Sequence, residues 1–228
     1  MKDETACSVS SRLSGVSALS TTEQEKGRRV MKCGAGIVLL AVVCGCGGPK
    51  ELQRVTPDSV VLAFGDSLTA GTGAADEESY PAVLSKRLGC RVINAGIPGE
   101  ITEEGTARLP ALLRQHKPQL VILCHGGNDM LRKIDDMTLT RHLRMMIAAS
   151  QATGADVVLL GVPRPGLILK APAFYGELAH EYGVPYEGQS LPEILSSPTL
   201  KSDMFHPNAA GYLKLAERLT VLIKQHAQ

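Results

Sequence analysis

The chain has 228 residues, 44% hydrophobic and 21% charged, with 24 Lys plus Arg against 23 Asp plus Glu. That balance excludes a disordered or fibrous chain and supplies no net basic field to hold nucleic acid or an anionic membrane. Aromatic residues make up only 4%, with no Trp, which argues against stacking of sugars or bases and predicts an aliphatic core.

Residues 1–30 are polar and Ser/Thr-rich without a sustained period, so no fold is expected there. Residues 33–49 carry no charge, include the apolar run Ile37–Val43, and follow Arg28, Arg29 and Lys32. This is a basic segment feeding a short apolar one, and it falls short of the roughly 20 apolar residues of a spanning helix, so a signal peptide is predicted. Its end, Val43-Cys44-Gly45-Cys46, resembles the bacterial lipobox, which makes Cys46 the candidate for lipidation. A plain secretory signal is the alternative. Location in the bacterial cell envelope follows, either lipid-anchored and facing the periplasm or exterior, or secreted to the periplasm. Met31-Lys32 would also serve as a start. The expected division is a leader over 1–46, a linker over 47–57 and one folded domain over 58–228.

Within that domain, Ser59–Phe64 reads as a strand and Tyr80–Leu88 as a helix closed by Gly89. Arg91–Ala95 repeats the strand pattern, and Thr102–His116 the helical one, with a kink or restart expected at Pro110. Gln119–Cys124 is a continuous apolar strand. A helix carrying Leu139, Leu143, Met146 and Ile147 on one face follows, then a strand at Asp156–Leu160. Ala171–Tyr182 is predicted helical and Val184–Tyr186 a short fifth strand. Leu215, Leu219, Leu222 and Ile223 stripe a closing helix. Apolar strands alternating with helices specify a parallel sheet covered on both faces, a three-layer α/β/α sandwich whose sites form at the carboxyl ends of the strands. Cys90 precedes one predicted strand and Cys124 ends its neighbour in sequence, so the two fall near opposite ends of the sheet and are read as buried thiols.

Four blocks occupy those carboxyl ends and the C-terminal region. They are Gly65-Asp66-Ser67-Leu68, Asn94-Ala95-Gly96-Ile97-Pro98-Gly99-Glu100, Gly126-Gly127-Asn128-Asp129 and Asp203-Met204-Phe205-His206-Pro207. In this order, from about Val60 to Tyr212, they resemble the GDSL or SGNH hydrolase family, nearest its arylesterase, acyl-CoA thioesterase and lysophospholipase branch. The resemblance implies a flavodoxin-like five-stranded parallel sheet, a catalytic set of Ser67, Asp203 and His206, and an oxyanion hole of Ser67, Gly99 and Asn128.

The chemistry of the residues agrees with those roles. A serine hydroxyl is a poor nucleophile until a base removes its proton; His206 can supply that base, and Asp203 three residues earlier can reach back to hold the imidazole. A lone Asp-x-x-His is also a common helix start, with Pro207 at the first helical position. The tetrahedral intermediate needs donors, and the N–H groups of Ser67 and Gly99 and the Asn128 amide are available, with Gly96 as the fallback. Because a general base must be neutral, kcat/KM is expected to fall on the acid side, an unperturbed imidazole titrating at about 6.5. Asp66 and Asp129 are read as loop braces of the Asx type, and His125 as either a pocket residue or a hydrogen-bonded wall residue.

Other motifs fail. Gly71-Thr72-Gly73 lacks the third glycine of a dinucleotide loop, Thr69 breaks the Gly-x-Ser-x-Gly elbow, and the six His are scattered, so no cofactor or metal is expected. The predicted activity is cleavage of short-to-medium acyl esters, thioesters or lysophospholipids through an acyl-enzyme. Removal of acetyl groups from polysaccharide is a second enzyme reading, and a non-catalytic envelope lipoprotein acting as a binding module is the reading from another class. The expected partner is a small ester or lysolipid, with no nucleic acid, and a membrane only through Cys46.

Overall fold

The computed structural model describes residues 51–227; the expected leader, Cys46 and the first part of the expected linker lie outside them. Five strands form one parallel sheet: β1 (Val60–Gly65), β2 (Arg91–Gly96), β3 (Leu120–Cys124), β4 (Asp156–Leu160) and β5 (Tyr186–Glu187), in the order β2-β1-β3-β4-β5. β3 and β4 are buried throughout, as strands covered on both faces must be, whereas the edge strand β2 is partly exposed. Val61 pairs with Val92 on one side and Leu120 on the other, which puts Gly65 level with Gly96 and Cys124 at one rim of the sheet.

The connecting helices are α1 (Ser67–Ala70), α2 (Tyr80–Leu88), α3 (Thr102–His116), α4 (Gly127–Leu131), α5 (Asp136–Ala152), α6 (Ala173–Tyr182), α7 (Ser190–Ser196) and α8 (Ala209–His226). α2 packs on α8, and α8 on α7, while α3 and α6 pack on α5. Right-handed crossovers place these two groups on opposite faces, because the chain moves one way from β1 to β2 and the other way from β2 through β3 to β5. The strand order therefore reverses at β1, and a crevice opens above β1 and β3.

Several boundaries differ from the sequence pattern for local reasons. β1 begins at Val60 rather than Ser59, whose hydroxyl instead accepts the Thr56 N–H at 2.9 Å. α3 runs through Pro110 as one helix without a restart. α6 begins after Pro172, and β5 begins only after Pro185, which has no N–H to give a ladder. Pro207 does not start a helix; Asn208 caps α8 by accepting the Gly211 N–H at 3.1 Å.

The core is less purely aliphatic than composition suggests. Tyr80, Tyr175 and Tyr212 are fully buried, with hydroxyls at 3.1 Å from Thr69 Oγ1, 2.7 Å from the His125 carbonyl and 2.8 Å from the Thr72 carbonyl. Each ring fills the interior while its polar tip braces a segment that follows β1 or β3. Cys90 and Cys124 are both free and buried, and burial pushes their thiols up.

The expected linker is in part attached to the domain. Leu52 is buried and bridges Ala227, and the Gln53 N–H donates to Asp156 Oδ2 at 2.6 Å, at the start of β4.

Candidate active site

Ser67 is the first residue of α1, two positions beyond the rim glycine of β1. Asp66 caps that helix, its Oδ1 accepting the Leu68 N–H at 3.0 Å, and this short-range bond fixes the turn that presents the hydroxyl. Asp66 is itself buried, and the loss of solvent raises its pKa despite the opposing influence of His125 and His206.

His206 arrives from 139 residues downstream and places Nε2 3.0 Å from Ser67 Oγ. Its Nδ1 lies 2.8 Å from Asp203 Oδ2 and 3.0 Å from Oδ1. With Nδ1–H donated to the carboxylate, Nε2 is left as the acceptor for the serine hydroxyl. Asp203 Oδ1 also accepts the N–H groups of Phe205 at 2.7 Å and His206 at 2.9 Å. Burial alone would raise the Asp203 carboxyl, but the imidazole and these two N–H donors hold it below the ordinary carboxylate range. The segment is stiffened by an antiparallel bridge between Lys201 and Pro207 and by the Ser202 N–H donating to the His206 carbonyl at 2.9 Å.

The loops after β2 and β3 carry the other residues expected in the oxyanion hole, Gly99 and Asn128. Among the described residues, neither the Ser67 N–H nor the Gly99 N–H is taken by a protein acceptor. Gly99 has φ of 82°, a left-handed conformation that a side chain would strain. Gly96 is spent structurally: its N–H donates to Asn94 Oδ1 at 3.0 Å, and a Cβ there would meet the Ala70 nitrogen at 2.1 Å. It is therefore not a free oxyanion donor. Asn128 Nδ2 donates to the Glu100 carbonyl at 3.0 Å and to Asp66 Oδ2 at 3.3 Å, so the amide is held by both neighbouring loops. Asp129 is not a local Asx brace; both its oxygens accept from Thr102, tying α4 to the first turn of α3.

Beneath these loops lies a network that the motifs do not reveal. The buried Glu100 carboxylate accepts from Arg108 Nε at 2.8 Å and from Arg108 Nη2 at 2.6 Å, and Oε2 lies 3.1 Å from His125 Nε2. His125 Nδ1 accepts the Gly126 N–H at 3.1 Å, so Nε2 carries the proton and donates to Glu100. His125 is thus a wall residue and does not line the pocket. Burial alone would raise Glu100, but the bonds from His125 and Arg108 hold its pKa below normal. Arg108 also donates to the Ala95 carbonyl at 3.0 Å and lies 4.3 Å over the Phe64 ring. Removing the guanidinium leaves Glu100 buried with one partner, so Arg108→Ala should cost about 3 kcal/mol in urea unfolding. Unchanged stability in that variant would show that the network contributes nothing net.

A cavity of about 380 Å³ opens above Ser67, Asn128 and His206, with Leu131, Val162, Leu169, Leu195, Met204 and Phe205 supplying most of its apolar wall. Its size and its few convergent polar groups fit a small ligand with an apolar part.

The model of the GDSL-like lipase/acylhydrolase family matches residues 63–214. The chain is 32% identical over 163 residues to the protein named thioesterase 1/protease 1/lysophospholipase L1 of Escherichia coli strain K12, covering 68% of this chain and 78% of that protein. It is 31% identical to esterase TesA of Pseudomonas aeruginosa, covering 80% of this chain and 96% of the relative. A crystal structure of TesA superposes with a TM-score of 0.66 at 31% identity, covering 73% of this chain and 99% of that one.

Proposed function

Since the chain belongs to the GDSL-like lipase/acylhydrolase family and is an esterase-type hydrolase, we propose that it cleaves short-to-medium acyl esters or thioesters, including lysolipids, through an acyl-enzyme on Ser67. The observation that carries this reading is the 3.0 Å approach of His206 Nε2 to Ser67 Oγ, with Asp203 on the other ring nitrogen. His206 takes the serine proton as Oγ attacks the carbonyl carbon. The oxyanion that forms is met by the N–H groups of Ser67 and Gly99 and by the Asn128 N–H that leaves its 3.3 Å contact with Asp66. His206 then returns the proton to the departing oxygen or sulfur, and a water activated by the same imidazole releases the acid. Asp203, kept ionised by its three donors, holds the tautomer and stabilises the imidazolium.

Leu131, Val162, Leu169 and Leu195 favour an acyl chain over a bare acetyl group, which would leave this wall uncovered. Fluorophosphonate labelling tests the assignment: phosphonylation of the peptide containing Ser67 is expected, and an unmodified Ser67 would overturn it.

We also propose that the protein is held in the bacterial envelope by acylation of Cys46, which lies outside the described residues. The lipobox-like Val43–Cys46 supports this, and no described helix is long and apolar enough to cross a membrane. Palmitate incorporation should be lost in Cys46→Ala, and its persistence would place the anchor elsewhere.

A further inference from the structure

We propose that Lys201 forms an anion subsite selecting esters whose leaving group carries a phosphate close to the scissile oxygen, an inference that rests on the reaction assigned above to Ser67 and His206.

Lys201 lines the same cavity as Ser67 and His206, and its backbone is pinned opposite Pro207 by the antiparallel bridge. Among the described residues its ammonium is in no ion pair. Asp66 is the one acid lining the cavity, and Asp203 stands outside that lining, on the far ring nitrogen of His206. Asp203 serves His206 and two N–H groups, and Asp66 serves Leu68 and Asn128. Lys201 thus stands half-buried at the wall of a largely apolar cavity with no ion pair of its own, and a bound anion would supply one.

The position of the subsite follows from the direction of the reaction. Gly99 and Asn128 approach the carbonyl oxygen from the loops after β2 and β3. His206 must reach the atom that departs, because it returns the proton there. The departing half of the substrate consequently lies along the Lys201–Pro207 segment, while the acyl chain takes the wall of Leu131, Val162, Leu169 and Leu195. An anion a few bonds beyond the scissile oxygen, as in a glycerol phosphate ester, suits a lysine whose backbone is paired with Pro207, next to His206. A phosphate carried at the end of a long linker would pass it by.

A matched pair of substrates isolates the charge: 1-octanoylglycerol and 1-octanoylglycerol 3-phosphate, presented below their aggregation limits to the intact protein. The unmodified protein should favour the phosphate ester. Lys201→Ala should lower kcat/KM for that ester about tenfold, mostly through KM, and leave the neutral ester within about twofold, the worth of one charge-assisted contact. Lys201→Glu should lose more, and Lys201→Arg should restore the preference. Raising ionic strength until the Debye length shrinks from about 30 Å to about 3 Å should erode the preference in the unmodified protein and in Lys201→Arg, with none to erode in Lys201→Ala. Equal changes on both esters in Lys201→Ala would overturn the subsite and leave the assignment of Ser67 standing. Loss of Ser67 labelling would strike that assignment instead.

Discussion

Ser67→Ala should lower kcat for p-nitrophenyl octanoate by about 10⁴-fold or more, the scale seen when the nucleophile of a Ser-His-Asp set is removed. In the proposed mechanism the hydroxyl oxygen becomes bonded to the acyl group, and the other hydroxyl of α1, Thr69, is buried and lies 3.1 Å from Tyr80. The folded state should barely notice. Among the described residues the Ser67 hydroxyl has one partner, His206, and the cap of α1 belongs to Asp66. The unfolding midpoint is therefore expected to stay where it is while turnover collapses. His206→Ala should be nearly as severe, and the double variant little worse than either, because the two groups act as one unit. Turnover comparable to the unmodified protein in Ser67→Ala would remove the acyl-enzyme altogether.

Asn128→Ala should reduce kcat by about 10²–10³-fold with little change in KM, equivalent to roughly 2.7–4 kcal/mol of barrier. The amide is engaged before substrate arrives. Its Nδ2 already spans the loops after β1 and β2 through Asp66 Oδ2 and the Glu100 carbonyl. The 3.0 Å bond to the Glu100 carbonyl orients the amide beforehand, and the longer bond to Asp66 Oδ2 is the one exchanged for the charge that builds on the oxyanion. A rise in KM with unchanged kcat would mean that Asn128 binds the ground state only. Comparing Asn128→Ala with Arg108→Ala separates the two layers of the site: the first should affect rate more than stability, and the second the reverse.

The parts of this fold that announce themselves in sequence are those whose pattern is complete within a short window. α2 and α3 occupy the spans their periodicity indicates, and β4 coincides with Asp156–Leu160, because an amphipathic stripe or an unbroken apolar run requires no distant partner. α1, α4 and α7 have four to seven residues, too few to display a period, and they form because a cap or a neighbouring loop holds them. The residues grouped as Ser67, Asp203 and His206 were legible through ordered motifs despite their separation. Glu100, Arg108 and His125 were not. Their partnership joins residues 8 and 25 positions apart on three different elements, and its meaning as a brace for the Gly99 and Asn128 loops exists only once those elements pack. Lys201 was invisible for a related reason: a lysine in a loop is ordinarily a solvated charge, and only the cavity makes it otherwise.

The entry of the chain at Leu52 and Gln53 has a consequence for orientation. Gln53 is fastened to Gly154 and Asp156, beside the beginning of β4, whereas Ser67 and Asn128 follow the ends of β1 and β3. A parallel strand of five residues separates these poles by about 16 Å. An acyl tether at Cys46 would leave a short leash to Leu52, at most about 20 Å when fully extended. Moored that way, the protein would turn its opening toward the aqueous side and its base toward the bilayer, so that substrate would be drawn from solution in preference to the leaflet that holds it.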